Sequence, residues 1–223
     1  MRRALSAALQ RLSRAVAPPH PAESHPAFYA ALRRLGTPTA RDLRTLAIHE
    51  AGHALPYAAL RPLPPYVQVS LPQPTAADDT LGYVTRIVYP HELEDLTFQR
   101  WEMLVCLAGQ AAEDLVLHGQ SNGSGQDLER WLGHAEDYLS LCHEEIFYAI
   151  PANALQHASN QQLLKRLLIT QRGQIREFLR TNQAVLVDLA ETIATRRHLA
   201  AADLKPFFAE VRLPQGFPLP DLG

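Results

Sequence analysis

Residues 41–56 read RDLRTLAIHEAGHALP, and this stretch decides how the chain is understood. Leu43, Leu46, Ala47, Ala51, Ala54 and Leu55 recur at helical spacing, which predicts one helix over 41–55. Inside it, His49-Glu50-Ala51-Gly52-His53 sets two imidazoles at i and i+4, one turn apart on one face. There both rings can share one zinc ion, Zn2+, at about 2.0–2.1 Å from each nitrogen. Glu50 lies beside the first ligand and can reach a water on the metal without itself ligating, as a general base must. His91-Glu92 and His143-Glu144 begin the same pattern, but no second histidine completes either. Pro56, three residues past His53, removes a backbone donor and clashes with the carbonyl of Gly52, so the helix is expected to kink or end there.

Working outward, Thr37-Pro38 predicts the helix start, with Thr at the cap and Pro in the first turn. Residues 66–71 alternate as a strand, with Val67, Val69 and Leu71 on one face. A second β-like run covers 81–89, across a polar connection at 72–80. From Thr97 onward the pattern is helical, over 97–118, 125–150, 159–181, 182–197 and 201–211. The expected breaks are 119–123, 151–160 and the neighbourhood of Asn182. On the other side, residues 1–17 form a basic arm with Leu5, Leu9, Leu12 and Val16 at helical spacing. A Pro/His-rich link follows at 17–26, then a short helix at 28–35. The expected fold is mainly α (α+β), a helical domain with a small β-sheet beside the H-E-x-x-H helix. It divides into an N-terminal arm and link at 1–36, a domain at 37–212 that carries the H-E-x-x-H helix, and a Pro-rich tail at 213–223.

Composition narrows the function. The chain has 223 residues, 47% of them hydrophobic, enough for a sizeable core. Residues 1–40 hold six arginines and one acid; the remainder holds 15 bases against 22 acids. A body with that balance offers no basic stripe to nucleic acid. Only two lysines occur, Lys165 and Lys205, and neither follows a glycine. No G-x-x-x-x-G-K-[ST] phosphate loop can exist, so energy-dependent action would need a separate ATPase or unfoldase. Two cysteines, Cys106 and Cys142, exclude a disulfide framework and read as buried thiols in a reducing compartment. No apolar run reaches the roughly 18 residues of a membrane span. The expected location is cytoplasmic, with membrane-surface association or organelle targeting through residues 1–17 left open.

A catalytic zinc keeps three protein ligands and an open position. The extended H-E-x-x-H-x-x-G-x-x-H pattern fails, since Pro56 and Ala59 occupy its last Gly and His positions. The third ligand must come from farther along. Glu113 and Asp114 are one option and Asp127 is another, with His118 and His134 weaker.

Three segments in order, HEAGHA at 49–54, LAGQAAEDL at 107–115 and GSGQDLE at 123–129, resemble the protease domain of the FtsH-family AAA zinc metalloproteases. The resemblance covers about residues 40–212. It implies that the aspartate of the third segment, Asp127, is the third zinc ligand and that Glu113 orients a histidine ligand. It also implies that Gly119, Gly123 and Gly125 let the backbone turn so as to aim that carboxylate. The family's protease domains form six-membered rings, so a homo-oligomer is implied as well. Three departures stand out. The family's ATPase module and membrane anchor have no counterpart in the 40 residues before the resemblance, Pro56 follows the metal helix, and Gln126 replaces the usual Asn.

The leading expectation is therefore a zinc-dependent endopeptidase without its own ATPase. His49, His53 and Asp127 hold zinc, Glu50 is the catalytic base, and unfolded polypeptides or peptides are the substrates. The alternative is a non-catalytic binding or regulatory module on the same fold, against which the presence of Glu50 speaks. Substrate would bind extended along a strand edge, supplied by either 66–71 or 81–89.

Overall fold

The computed structural model describes residues 39–71, 82–90, 95–119, 125–142 and 145–223. Helix α1 spans Ala40–Ala54 and runs directly into a 3-10 turn, Leu55–Ala59. Its N-cap is Thr39, two residues beyond the expected position. The Thr39 hydroxyl accepts from the Asp42 amide while the Asp42 carboxylate accepts from the Thr39 amide, a reciprocal cap. At the other end Pro56 has the expected effect. The α-helix stops one residue past His53, so both histidines keep regular helical geometry. The Pro56 carbonyl is taken by the Trp101 indole at 2.9 Å.

Strand β1, Gln68–Ser70, pairs antiparallel with β2, Tyr83–Val84, and on its other side with β3, His198–Ala200. The order β2-β1-β3 puts β1 in the centre. Val67, Val69 and Leu71 are buried, as their alternation requires. The 81–89 run shrinks to two paired residues, held to β1 also by Thr85, whose amide donates to the Gln68 carbonyl. β3 was not expected. It is a three-residue segment between two helices, too short for a period to show.

The remaining helices are α2, Leu96–Leu117; α3, Gly125–Leu141; α4, Ala154–Thr181; α5, Gln183–Arg196; and α6, Ala201–Glu210. The molecule is thus mainly helical with a small antiparallel sheet. The expected helix over 125–150 ends early, at Leu141. The Asn160 side chain donates to the Tyr148 carbonyl and accepts from the Tyr148 amide, satisfying that backbone outside a helix. The helix expected from Ser159 starts instead at Ala154, capped by the Asn153 side chain on the Gln156 amide. Cys106 is buried, but Cys142, at the end of α3, is only half-buried; both thiols are free. Residues 213–223 lie on the body: Phe217 is buried and stacks on Phe178, and the Arg61 carbonyl accepts from the Leu222 amide. The arm and link at 1–36, with the short helix at 28–35, and the connection at 72–80 lie outside the described residues.

The core forms where α1 and α4 pack against α2 and α5 packs against α1, around Trp101, Leu104, Ile175, Phe178, Leu189 and Ile193. The tightest approach is between α1 and α2. A Cβ on Gly52 would stand 2.6 Å from the Ala112 Cβ and 2.7 Å from the Ala108 carbonyl oxygen. Backbone cannot yield to it as a flexible side chain could. Gly52→Ala should therefore destabilise the protein by about 1–3 kcal/mol despite alanine's better helix propensity, seen as a lower urea midpoint at unchanged slope.

Candidate metal centre

His49 and His53 project from the face of α1 that meets α2. Each imidazole is fixed through Nδ1. His49 Nδ1 lies 2.6 Å from Glu113 Oε1, and His53 Nδ1 lies 2.7 Å from the Val105 carbonyl oxygen. Both partners are acceptors, so each Nδ1 carries the proton and each neutral ring presents a lone pair on Nε2. The two Nε2 atoms are 2.9 Å apart. Asp127 Oδ2, from the first turn of α3, stands 3.1 Å from one and 3.2 Å from the other.

Three electron-pair donors thus converge on one point, an arrangement that repels unless a cation sits among them. Ligands about 2.0–2.1 Å from a tetrahedral zinc stand about 3.3 Å apart, and the observed triangle falls a few tenths of an ångström short of that edge. Among the described residues this is the only His/Cys/Asp/Glu group that could hold a metal. The floor of the triangle is Gly109 on α2. A Cβ there would lie 2.5 Å from His53 Nε2 and 2.7 Å from His49 Nε2. The donor set and the cradle both fit a zinc ion.

The electrostatics point the same way. Glu50, Glu113 and Asp127 are all buried. Burial alone would raise Asp127, but the adjacent histidines outweigh it and hold this carboxyl well below the usual carboxylate range. Burial would likewise lower His49, yet hydrogen bonds to Asp127 and Glu113 more than offset it and push the ring up to about 10. Without a metal, a proton therefore takes the cation's place. Glu50 is raised by desolvation, partly countered by the two histidines, which makes it more avid for a proton. Gly82, just before β2, brings the backbone against this base; a Cβ there would stand 2.8 Å from Glu50 Oε1.

The other candidates fall elsewhere. Asp114 faces away and pairs with Arg176 at 3.4 Å, and His134 pairs with Glu102 at 3.4 Å. His118 is the left-handed C-cap of α2, with φ 54°. Neither Gly119 nor Gly125 has positive φ, and Gly123 lies outside the described residues. Sequence reasoning missed Arg130, which pairs with Asp127 Oδ1, and Gly109. A signal existed for both. Arg130 is three residues from Asp127 on one helix, and Gly109 is the single glycine inside α2. The Val105 carbonyl left no sequence signal at all. Trp131 sits on the inward face of α3 near Asp127; its indole donates to Gln171 Oε1 at 2.7 Å and moors α3 to α4.

No protein-family profile matches the chain. A stretch of 102 residues, 44% of the chain, is 42% identical to the ATP-dependent zinc metalloprotease FtsH 1 of Sorangium cellulosum (strain So ce56), and it spans 16% of that relative's length. Part of this chain is therefore related to a zinc metalloprotease of the FtsH type. Among the described residues no helix is long and apolar enough to cross a membrane.

Two outcomes follow for the metal-free chain. His49 is raised from an ordinary value near 6.5 to about 10, so its stabilising contribution is fully present below about 6.5 and is lost as pH rises toward 10. In excess chelator the urea midpoint should accordingly fall between pH 7 and 10. Added zinc should raise the melting temperature of wild type and abolish that alkaline loss, and should do neither for His49→Ala.

Proposed function

We propose that this chain is a zinc-dependent endopeptidase acting on unfolded polypeptides or peptides. The observation that carries it is the convergence of His49 Nε2, His53 Nε2 and Asp127 Oδ2 beside a buried carboxylate, Glu50, that ligates nothing. These three atoms would hold the zinc. When bound, the ion supplies Lewis-acid activation of water and of the scissile carbonyl. Glu113 and the Val105 carbonyl keep the histidines in the ligating tautomer. Glu50 accepts the proton of the attacking water and returns it to the leaving amine, and its desolvated carboxylate suits that task.

The sheet supports an extended substrate. β1 has both edges paired, whereas among the described residues β2 is an outer strand, and Gly82 just before it abuts Glu50. A peptide added along β2 would present its backbone to the base through main-chain hydrogen bonds, which read conformation rather than sequence. Folded proteins would need a separate unfoldase. Two free thiols fit a reducing compartment such as the cytoplasm. Assembly into a homo-oligomer belongs to the same reading.

Casein hydrolysis by the zinc-loaded chain provides the test. Glu50→Gln should keep stoichiometric zinc while lowering the rate about 10²–10⁴-fold. Equal rates for variant and wild type, or a wild type that binds no zinc, contradict the reading.

A further inference from the structure

Arg130 lies outside the motifs that pointed to the metal site, yet its guanidinium donates to Asp127 Oδ1. The other oxygen, Oδ2, faces the two histidines. The two oxygens of one carboxylate are therefore divided between two tasks. A carboxylate ligand with its second oxygen unengaged can swing from one-oxygen to two-oxygen attachment and change the coordination number. An oxygen already holding a charge-assisted N–H bond is held back from that swing, because one lone pair is engaged and the bond fixes its direction.

Charge supplies a second, separate observation. Glu50, Glu113 and Asp127 place three carboxyl groups in one buried cluster. A net buried charge is costly unless paired. Arg130 ion-pairs with Asp127 of this cluster, its side chain 46% exposed.

We propose that Arg130 is a positioning residue of the metal centre, holding Asp127 to single-oxygen ligation. This rests on the zinc reading above. Arg130 does not touch the atoms that would hold the metal; it acts through Asp127. The hold is geometric as well as electrostatic, because Arg130 sits one turn along α3 from Asp127 and the helix fixes the reach between them. A lysine could supply the charge from the same place but would bond Oδ1 as a point charge without the planar fork.

The test uses the full chain as wild type, Arg130→Met, Arg130→Lys, and Arg166→Met as a control, since Arg166 pairs with Glu145 on the exposed surface. Three quantities are read: zinc affinity by chelator competition, the visible spectrum of the cobalt(II)-loaded protein, and the urea midpoint in excess chelator. Arg130→Met should lose about 10–100-fold in zinc affinity. Its cobalt bands should weaken as the second oxygen of Asp127 enters and the coordination number rises. Arg130→Lys should fall between, and Arg166→Met should match wild type. Should Arg130→Met fail to fold, the lysine variant decides: weaker bands and lower affinity support the inference, and values indistinguishable from wild type overturn it. A Met variant with an unchanged cobalt spectrum and zinc affinity, whatever happens to its metal-free stability, shows a merely structural ion pair and overturns the inference while leaving the zinc reading intact. A wild type that binds neither metal defeats the zinc reading itself, and the role of Arg130 with it.

Discussion

The closeness of two helix backbones is the constraint on which the rest depends. Helices usually pack with axes 8–10 Å apart, and the side chains between them set the spacing. At the α1–α2 crossing those side chains are nearly absent: Gly52 meets Ala108 and Ala112, and Gly109 meets the imidazoles. The consequence is chemical as well as mechanical. Both histidines come from α1, while the groups on their Nδ1 atoms, Val105 and Glu113, come from α2. A looser crossing would lengthen both bonds together, freeing ring orientation and tautomer. The same small residues therefore close the core and set the direction of the lone pairs.

The third donor arrives by a different route. Asp127 belongs to α3, which packs on α2 rather than on α1 and is tied to α4 through Trp131 and Gln171. Gln171 in turn reaches the Met103 sulfur on α2 at 3.7 Å, so α2 serves as a common reference for every element of the site. The sheet completes the surround. Tyr57, beyond the end of α1, donates to the Thr85 carbonyl at 2.7 Å and keeps the β2 segment beside Glu50. The cluster assembled from these helices brings together three side chains that could hold a metal ion.

How far the sequence could be read follows from where each contact lies along the chain. His49, Glu50 and His53 share a single helix, so their mutual geometry is local and legible from spacing alone. Asp127 is 74 residues from His53, and resemblance to a known family singled it out where spacing could not. Glu113 and Asp114 show the limit well. They are adjacent and chemically alike, but one residue of helix turns a side chain about 100°, so one meets His49 and the other meets Arg176. Which one faces inward depends on the rotation of α2 against α1. The third strand stayed hidden for a similar reason: His198–Ala200 is extended because β1 has an open edge there, not because three residues carry a period. The backbone at Tyr148, expected to be helical, is instead satisfied by Asn160, a side chain in the next helix.

X-ray absorption at the zinc edge of the purified, zinc-loaded chain reads the ligand atoms themselves. A zinc ion on His49, His53 and Asp127 gives a shell of nitrogen and oxygen at about 2.0–2.1 Å with the outer-ring scattering of two imidazoles and no sulfur. A sulfur shell at about 2.3 Å, or a site lacking the imidazole signature, would contradict that ligand set.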